Sequence, residues 1–324
     1  MLTKNIKFKK FIIKSKNYNT KSIYKNMIRN YRNGHLKLLS CLSKNYKYSY
    51  DKKLIKKYKK YPNFRIIGMG GSILGAEAIY QFLKHKIKKN FFFLNNLEKK
   101  FNLLKKEKDI VNLIISKSGN TLETISNSNI VIKNNKKNII ITENKKNYLN
   151  DLANNIKAEV VEHKNYIGGR YSVLSEVGML PAELMGLNEK KFKRLNYLIK
   201  NKKFVNNLIG NVANTLNLVR NKKYLSILLN YDRSSENLFS WYQQLIAESL
   251  GKKSKGILPL VSTMPKDNHS LMQFYLDGPK KSFYTFFSVL AKNSNKINSK
   301  YLLKSHSYLR NKNLSKIKTN LSKI

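Results

Sequence analysis

The chain has 324 residues, 41% of them hydrophobic and 25% charged, which excludes a disordered chain and a coiled coil. Sixty-four Lys and Arg against 18 Asp and Glu give a formal charge of +46, a field that attracts nucleic acid or anionic lipid without specificity. The lysines are spread along the whole chain among Asn, Ile and Tyr, as in NKKNIIITENKK, whereas a dedicated nucleic-acid binder clusters them on one stripe. A compositional bias of the whole coding sequence accounts for that spread, and no specific nucleic-acid partner is expected.

No run of about 18 apolar residues occurs, so neither a transmembrane helix nor a membrane partner is expected. The single cysteine, Cys41, excludes a disulfide scaffold and fits a reducing cytoplasm. The five histidines lie far apart with no zinc-ligand spacing, so no zinc site is expected. Residues 1–62 hold no acid before Asp51 and read as a basic, helical N-terminal arm without a signal peptide.

From residue 63 the texture becomes alternating α/β. NFRIIG is a short apolar strand entering the glycine turn GMGGS, followed by the helical pattern AEAIYQFLKH. NFFFL, DIVNLII, NIIIT and AEVVEH read as further strands, with the helix LETISNSNIVIK after the third. Strands separated by helix-length segments imply βαβ units and a parallel sheet, with ligands bound at the carboxyl ends of its strands. A glycine turn and an apolar helix follow in YIGGRYSVLSEVGMLPAELMG, then a Lys/Asn-rich helix near 190–220. A second α/β half begins with the strand KYLSILLNYD, the helix ENLFSWYQQLIAESLGK and the strand and loop KGILPLVSTMPKDNHS, and the chain closes in a basic polar tail. The fold class is α/β, with domain 1 over 63–188 and domain 2 over 189–324.

Two loops carry anion-binding chemistry. Gly68-Met69-Gly70-Gly71-Ser72 lets backbone N–H groups approach an anion at a helix start. It is not a dinucleotide site: the spacing departs from GxGxxG, and Asn95 and Asn96 stand where a ribose-binding carboxylate belongs. Ser116-Lys117-Ser118-Gly119-Asn120-Thr121 offers three hydroxyls, an ammonium and free amides at a strand-to-helix turn, suited to a terminal phosphate. Helix capping alone needs one hydroxyl, not four within nine residues.

GGS followed by SKSGNTLET resembles the sugar isomerase (SIS) domain. Gly168-Gly169-Arg170-Tyr171-Ser172, with Ser175 and Gly178, is similar to the GGRYS signature of the glucose-6-phosphate isomerase family. A third block agrees: Gln244, Glu248-Ser249 and Gly251-Lys252, then Asp267, His269-Ser270 and Asp277-Gly278-Pro279. The resemblance implies two SIS-type domains, each a parallel-sheet α/β/α sandwich, and reversible isomerisation of glucose 6-phosphate and fructose 6-phosphate. It implies that Glu248 transfers the proton, Arg170 stabilises the enediolate and His269 assists ring opening. By the same resemblance Ser116, Lys117, Ser118 and Thr121 hold the phosphate, with Gly71, Ser72, Gly169 and Gln244 against the sugar. It also implies no cofactor and no metal, and a homodimer in which His269 reaches the neighbouring active site.

One departure bears on catalysis. The family carries a C-terminal helix with a Gln and a ring-opening Lys, yet no glutamine follows Gln273, and residues 280–324 hold 11 Lys/Arg and no acid. A C-terminally shortened second domain is expected, with binding surviving better than turnover. The alternative is a SIS-type phosphosugar-binding protein with little or no catalysis.

Overall fold

The computed structural model describes residues 19–98, 110–132, 137–289 and 294–322. The chain divides into two compact units, Met1–Asn217 and Leu218–Ile324.

In the first unit, helix α1 (Thr20–Arg32), a 3-10 turn (Lys37–Leu42) and helix α2 (Lys52–Lys59) precede the sheet; residues 1–18 of the basic arm lie outside the described residues. Then follow β1 (Asn63–Gly68), α3 (Leu74–Leu83), β2 (Asn90–Leu94), β3 (Ile110–Ile115), α4 (Leu122–Ile132), β4 (Asn138–Thr142), α5 (Tyr148–Ile156) and β5 (Glu159–Glu162). After the GGRYS turn come α6 (Glu176–Leu184), α7 (Glu189–Phe192) and α8 (Lys202–Arg220), whose last residues belong to the second unit. The five strands are parallel in the order β2-β1-β3-β4-β5.

The strands of the interior, IVNLII and NIIIT, are buried at every position. A parallel strand covered on both faces needs no apolar/polar alternation. Phe64 and Ile66 of β1 join α2, α3 and α6 in one core, whereas Ile67 joins Val131 of α4 and Leu149 and Ala153 of α5 in the other. A buried polar ladder crosses the sheet in register: Arg65 Nη1 donates to Asn112 Oδ1 at 3.4 Å, and Asn112 Nδ2 donates to Asn138 Oδ1 at 2.9 Å. Slipping either pairing by one residue strands these groups among isoleucines, so the ladder helps fix the register.

The segment before α2 is fastened to α6 by carboxylates. Tyr46 Oη donates to both oxygens of Glu176 at 2.9 Å, and the Ser49 amide donates to the same carboxylate at 3.0 Å. Tyr50 Oη and Lys52 Nζ donate to Glu183 at 2.8 and 2.7 Å. Glu176 is fully buried, so these donors replace its water.

The second unit carries a three-stranded parallel sheet, β7-β6-β8. Its elements are β6 (Leu225–Asn230), α9 (Glu236–Leu250), β7 (Leu258–Thr263), α10 (Met272–Asp277), β8 (Ser282–Phe287) and α11 (Leu314–Leu321). Helix α9 covers one face, with Phe239 edge-on to Phe287 at 4.8 Å. Tyr275 of α10 and Leu321 of α11 pack on Ile227, Leu229, Tyr231 and Met264 at the other. Strand β8 and helix α11 lie where the sequence suggests only a polar tail. SFYTFF is a six-residue strand whose signal is masked by the lysines on both sides.

Candidate active site

The loops that follow β1 and β3 sit at the carboxyl ends of adjacent parallel strands, with Gly68 in register with Ile115. The strand order turns back at this pair, the switch point where open α/β sheets bind ligands. Gly70 has φ +51°, which glycine adopts without strain. Gly71 is pressed against the GGRYS turn: a Cβ there would lie 2.2 Å from the Gly169 carbonyl carbon and 2.6 Å from the Arg170 nitrogen. Ser172 Oγ donates to the Gly169 and Gly71 carbonyls at 2.6 and 3.3 Å. Two motifs about a hundred positions apart in sequence are thus one backbone-to-backbone platform. Ser72 is half-buried beside it, and the Arg170 guanidinium lies 4.7 Å from the Tyr171 ring centroid.

The loop after β3 is organised around Ser116, which is 2% exposed. Its Oγ accepts from the Gly119 amide at 3.2 Å and lies 2.9 Å from Thr121 Oγ1 and 3.5 Å from Ser118 Oγ. Ser118 is exposed and Thr121 half-buried, and both hydroxyls stand within reach of the one that shapes the turn. Gly119 has φ +71°, and a Cβ on it would strike Asn147 Oδ1 at 2.1 Å. The Lys117 ammonium is turned to the Asn165 carbonyl at 2.7 Å, with Glu143 Oε1 at 3.5 Å.

The remaining sequence-derived residues lie on the second unit. Gln244 and Glu248 are one turn apart on α9, and Gln244 Nε2 donates to Glu248 Oε2 at 3.2 Å. Gln244 Oε1 is buried with no hydrogen-bond partner. His269 is exposed in the loop after β7. That loop is anchored by Asp267, whose Oδ2 accepts from the Thr263 amide at 2.7 Å and from Ser262 Oγ at 3.0 Å.

Two groups near the first-unit loops escape sequence reasoning. Glu143 follows β4; burial pushes its carboxyl up, but the Lys145 and Lys117 ammoniums outweigh burial and hold it below the ordinary value. Its position at the carboxyl end of NIIIT was the available signal. His163, 1% exposed at the end of β5, faces the Lys164 carbonyl through Nδ1 and has no partner at Nε2. Burial keeps its imidazole below the ordinary value. Among the described residues, no group of three or more His, Cys, Asp or Glu could hold a metal ion, and no helix is long and apolar enough to cross a membrane.

The parallel five-stranded sheet and its strand-end loops define a SIS-type α/β fold. The structure superposes on a hypothetical protein of Thermus thermophilus with TM-score 0.74 at 20% identity, over 94% of this chain and 79% of that one. A glucose-6-phosphate isomerase from Chlamydia trachomatis superposes at TM-score 0.57 and 19% identity, over 79% and 56% of the two chains. The phosphoglucose isomerase family model matches residues 55–264, and the chain belongs to that family. The glucose-6-phosphate isomerase of Methanocaldococcus jannaschii is 36% identical over 73% of this chain and 63% of its own length. The chain thus spans about six tenths of the curated relatives it matches.

Proposed function

We propose that the chain interconverts glucose 6-phosphate and fructose 6-phosphate in the cytoplasm, serving glycolysis and gluconeogenesis. The observation that carries this reading is the contact of Gly71 with Gly169 and Arg170. It seats the arginine on the glycine turn, at the strand end next to the hydroxyl loop. In this reading the Ser118 and Thr121 hydroxyls and the loop amides, on the turn shaped by Ser116, bind the phosphate dianion with charge-assisted hydrogen bonds. Gly71, Ser72, Gly169 and Gln244 bound the sugar.

His269 donates a proton to the ring oxygen as solvent water accepts the C1 hydroxyl proton, which opens the ring. Glu248 then removes the C2 proton of the aldose and returns it to C1. The electron pair left behind forms the enediolate, whose charge Arg170 stabilises while a proton passes from the C2 oxygen to the C1 oxygen. Helix α9 suits Glu248 to this task because Gln244, one turn earlier, donates to its Oε2 and orients the carboxylate.

We further propose the functional division 1–62, 63–188 and 189–324, and a homodimer in which His269 serves the active site of the second copy. A coupled assay with fructose 6-phosphate tests the reaction. Mixing the inactive Glu248→Gln and His269→Gln variants tests the dimer: refolded together, they regain activity through hybrids holding one intact site. Activity in neither the parent nor the mixture, with phosphosugar still bound, supports the binding-protein reading.

A further inference from the structure

The Lys117 side chain belongs to the phosphate loop by sequence, yet its ammonium is engaged elsewhere. Nζ donates to the Asn165 carbonyl at 2.7 Å and stands 3.5 Å from Glu143 Oε1. Glu143 is itself fixed: its amide donates to the Lys117 carbonyl at 3.2 Å, and its other oxygen pairs with Lys145. Asn165 lies five residues before Arg170, on the turn closed by the Ile167 amide donating to the Lys164 carbonyl at 3.1 Å. The arginine turn is therefore held at two points, at Gly169 by the Gly71 backbone and at Asn165 by Lys117.

We propose that Lys117 is a positioning residue: paired with Glu143, its ammonium ties the phosphate loop to the arginine turn instead of binding the phosphate. Charge supports the assignment. A carboxylate facing Nζ cancels much of the attraction that the ammonium offers a dianion, and burial strengthens the pairing. Glu143, held below the ordinary carboxylate value by Lys145 and Lys117, stays charged at neutral pH. The phosphate is left to hydroxyls and amides, while Lys117 couples its site to the catalytic cation.

The inference rests on the proposed isomerase site, and its test separates the two. Lys117→Met keeps the stem and removes the charge; Lys117→Arg restores a donor able to reach a carbonyl. In the full chain, amide hydrogen exchange over residues 164–171 is followed beside titration with inorganic phosphate. Lys117→Met is expected to speed exchange in that segment several-fold, with Lys117→Arg restoring protection. Phosphate affinity should change by less than about threefold, whereas losing a direct charged hydrogen bond costs roughly tenfold or more. Unchanged exchange, or a tenfold loss of phosphate affinity in Lys117→Met, overturns the assignment. If the parent chain binds no phosphate, the site reading fails on its own, and the exchange measurement still decides whether Lys117 clamps the turn.

Discussion

Gly71→Ala adds one methyl at the point where the two motif loops meet. The new carbon would lie 2.2 Å from the Gly169 carbonyl carbon, 2.4 Å from its oxygen and 2.6 Å from the Arg170 nitrogen. All three atoms are backbone, so no side chain can turn aside, and ordinary contact at about 3.5 Å requires the loops to part by roughly 1 Å. Overpacking of this kind costs about 1–3 kcal/mol. At about 2–4 °C per kcal/mol for a domain of this size, the melting temperature should fall by roughly 2–12 °C. A displacement of about 1 Å at a catalytic group costs on the order of 10²-fold in rate, so turnover should fall further than stability suggests. Gly169→Ala is the control for stability: the nearest atom to its added carbon, outside its chain neighbours, is the Gly71 Cα at 3.9 Å. Equal melting temperatures for the two variants would refute the backbone contact on which the site is built.

Three further outcomes follow from buried polar groups and the phosphate loop. Glu77 on α3 is raised by burial, only partly offset by the Asn95 amide at 2.8 Å. A raised native value means the neutral form is favoured, so its stability contribution is complete below the unfolded value near 4.5 and is lost as pH rises through the native one. Glu77→Gln, which keeps the acceptor for Asn95, should therefore unfold at higher temperature than the parent at pH 7, with the difference vanishing toward pH 4; an equal or lower value at pH 7 contradicts this. Glu176→Ala should cost about 3–5 kcal/mol in urea unfolding, since Tyr46 and Ser49 lose a buried acceptor; a loss under 1 kcal/mol removes its anchoring role. Ser118→Ala with Thr121→Ala should weaken inhibition by inorganic phosphate by roughly 10–100-fold per hydroxyl, and unchanged inhibition leaves Thr121 as a helix-start residue only.

Much of the first unit was legible because its signals are local. Ile110–Ile115 and Asn138–Thr142 are short apolar runs bounded by polar turns, and both are fully buried strands of a parallel sheet. The Gly71–Ser72 and Ser116–Thr121 loops were legible for the same reason, since glycine and hydroxyl residues at strand ends have few other uses. What escaped was long-range or masked by composition. Ser282–Phe287 forms a third strand beside β6, but lysines around it resemble the rest of a chain with 64 cations. The direction of the Lys117 side chain depends on Asn165 and Glu143, 48 and 26 positions away, which no local pattern encodes. Glu176, read only as part of an apolar helix, proved to be the acceptor that fastens Tyr46 and Ser49 to α6.

The central claim is proton transfer by Glu248 on a phosphosugar held elsewhere, and solvent exchange measures it directly. In deuterium oxide, the parent chain should incorporate deuterium at C1 of fructose 6-phosphate and at C2 of glucose 6-phosphate, followed by proton NMR. Glu248→Gln keeps an acceptor for Gln244 Nε2 but removes the base, so incorporation should fall by about 10²–10⁴-fold, with phosphate affinity within about twofold of the parent. Incorporation persisting at the parent rate in Glu248→Gln, or a parent chain that exchanges no carbon-bound proton at all, would contradict the account.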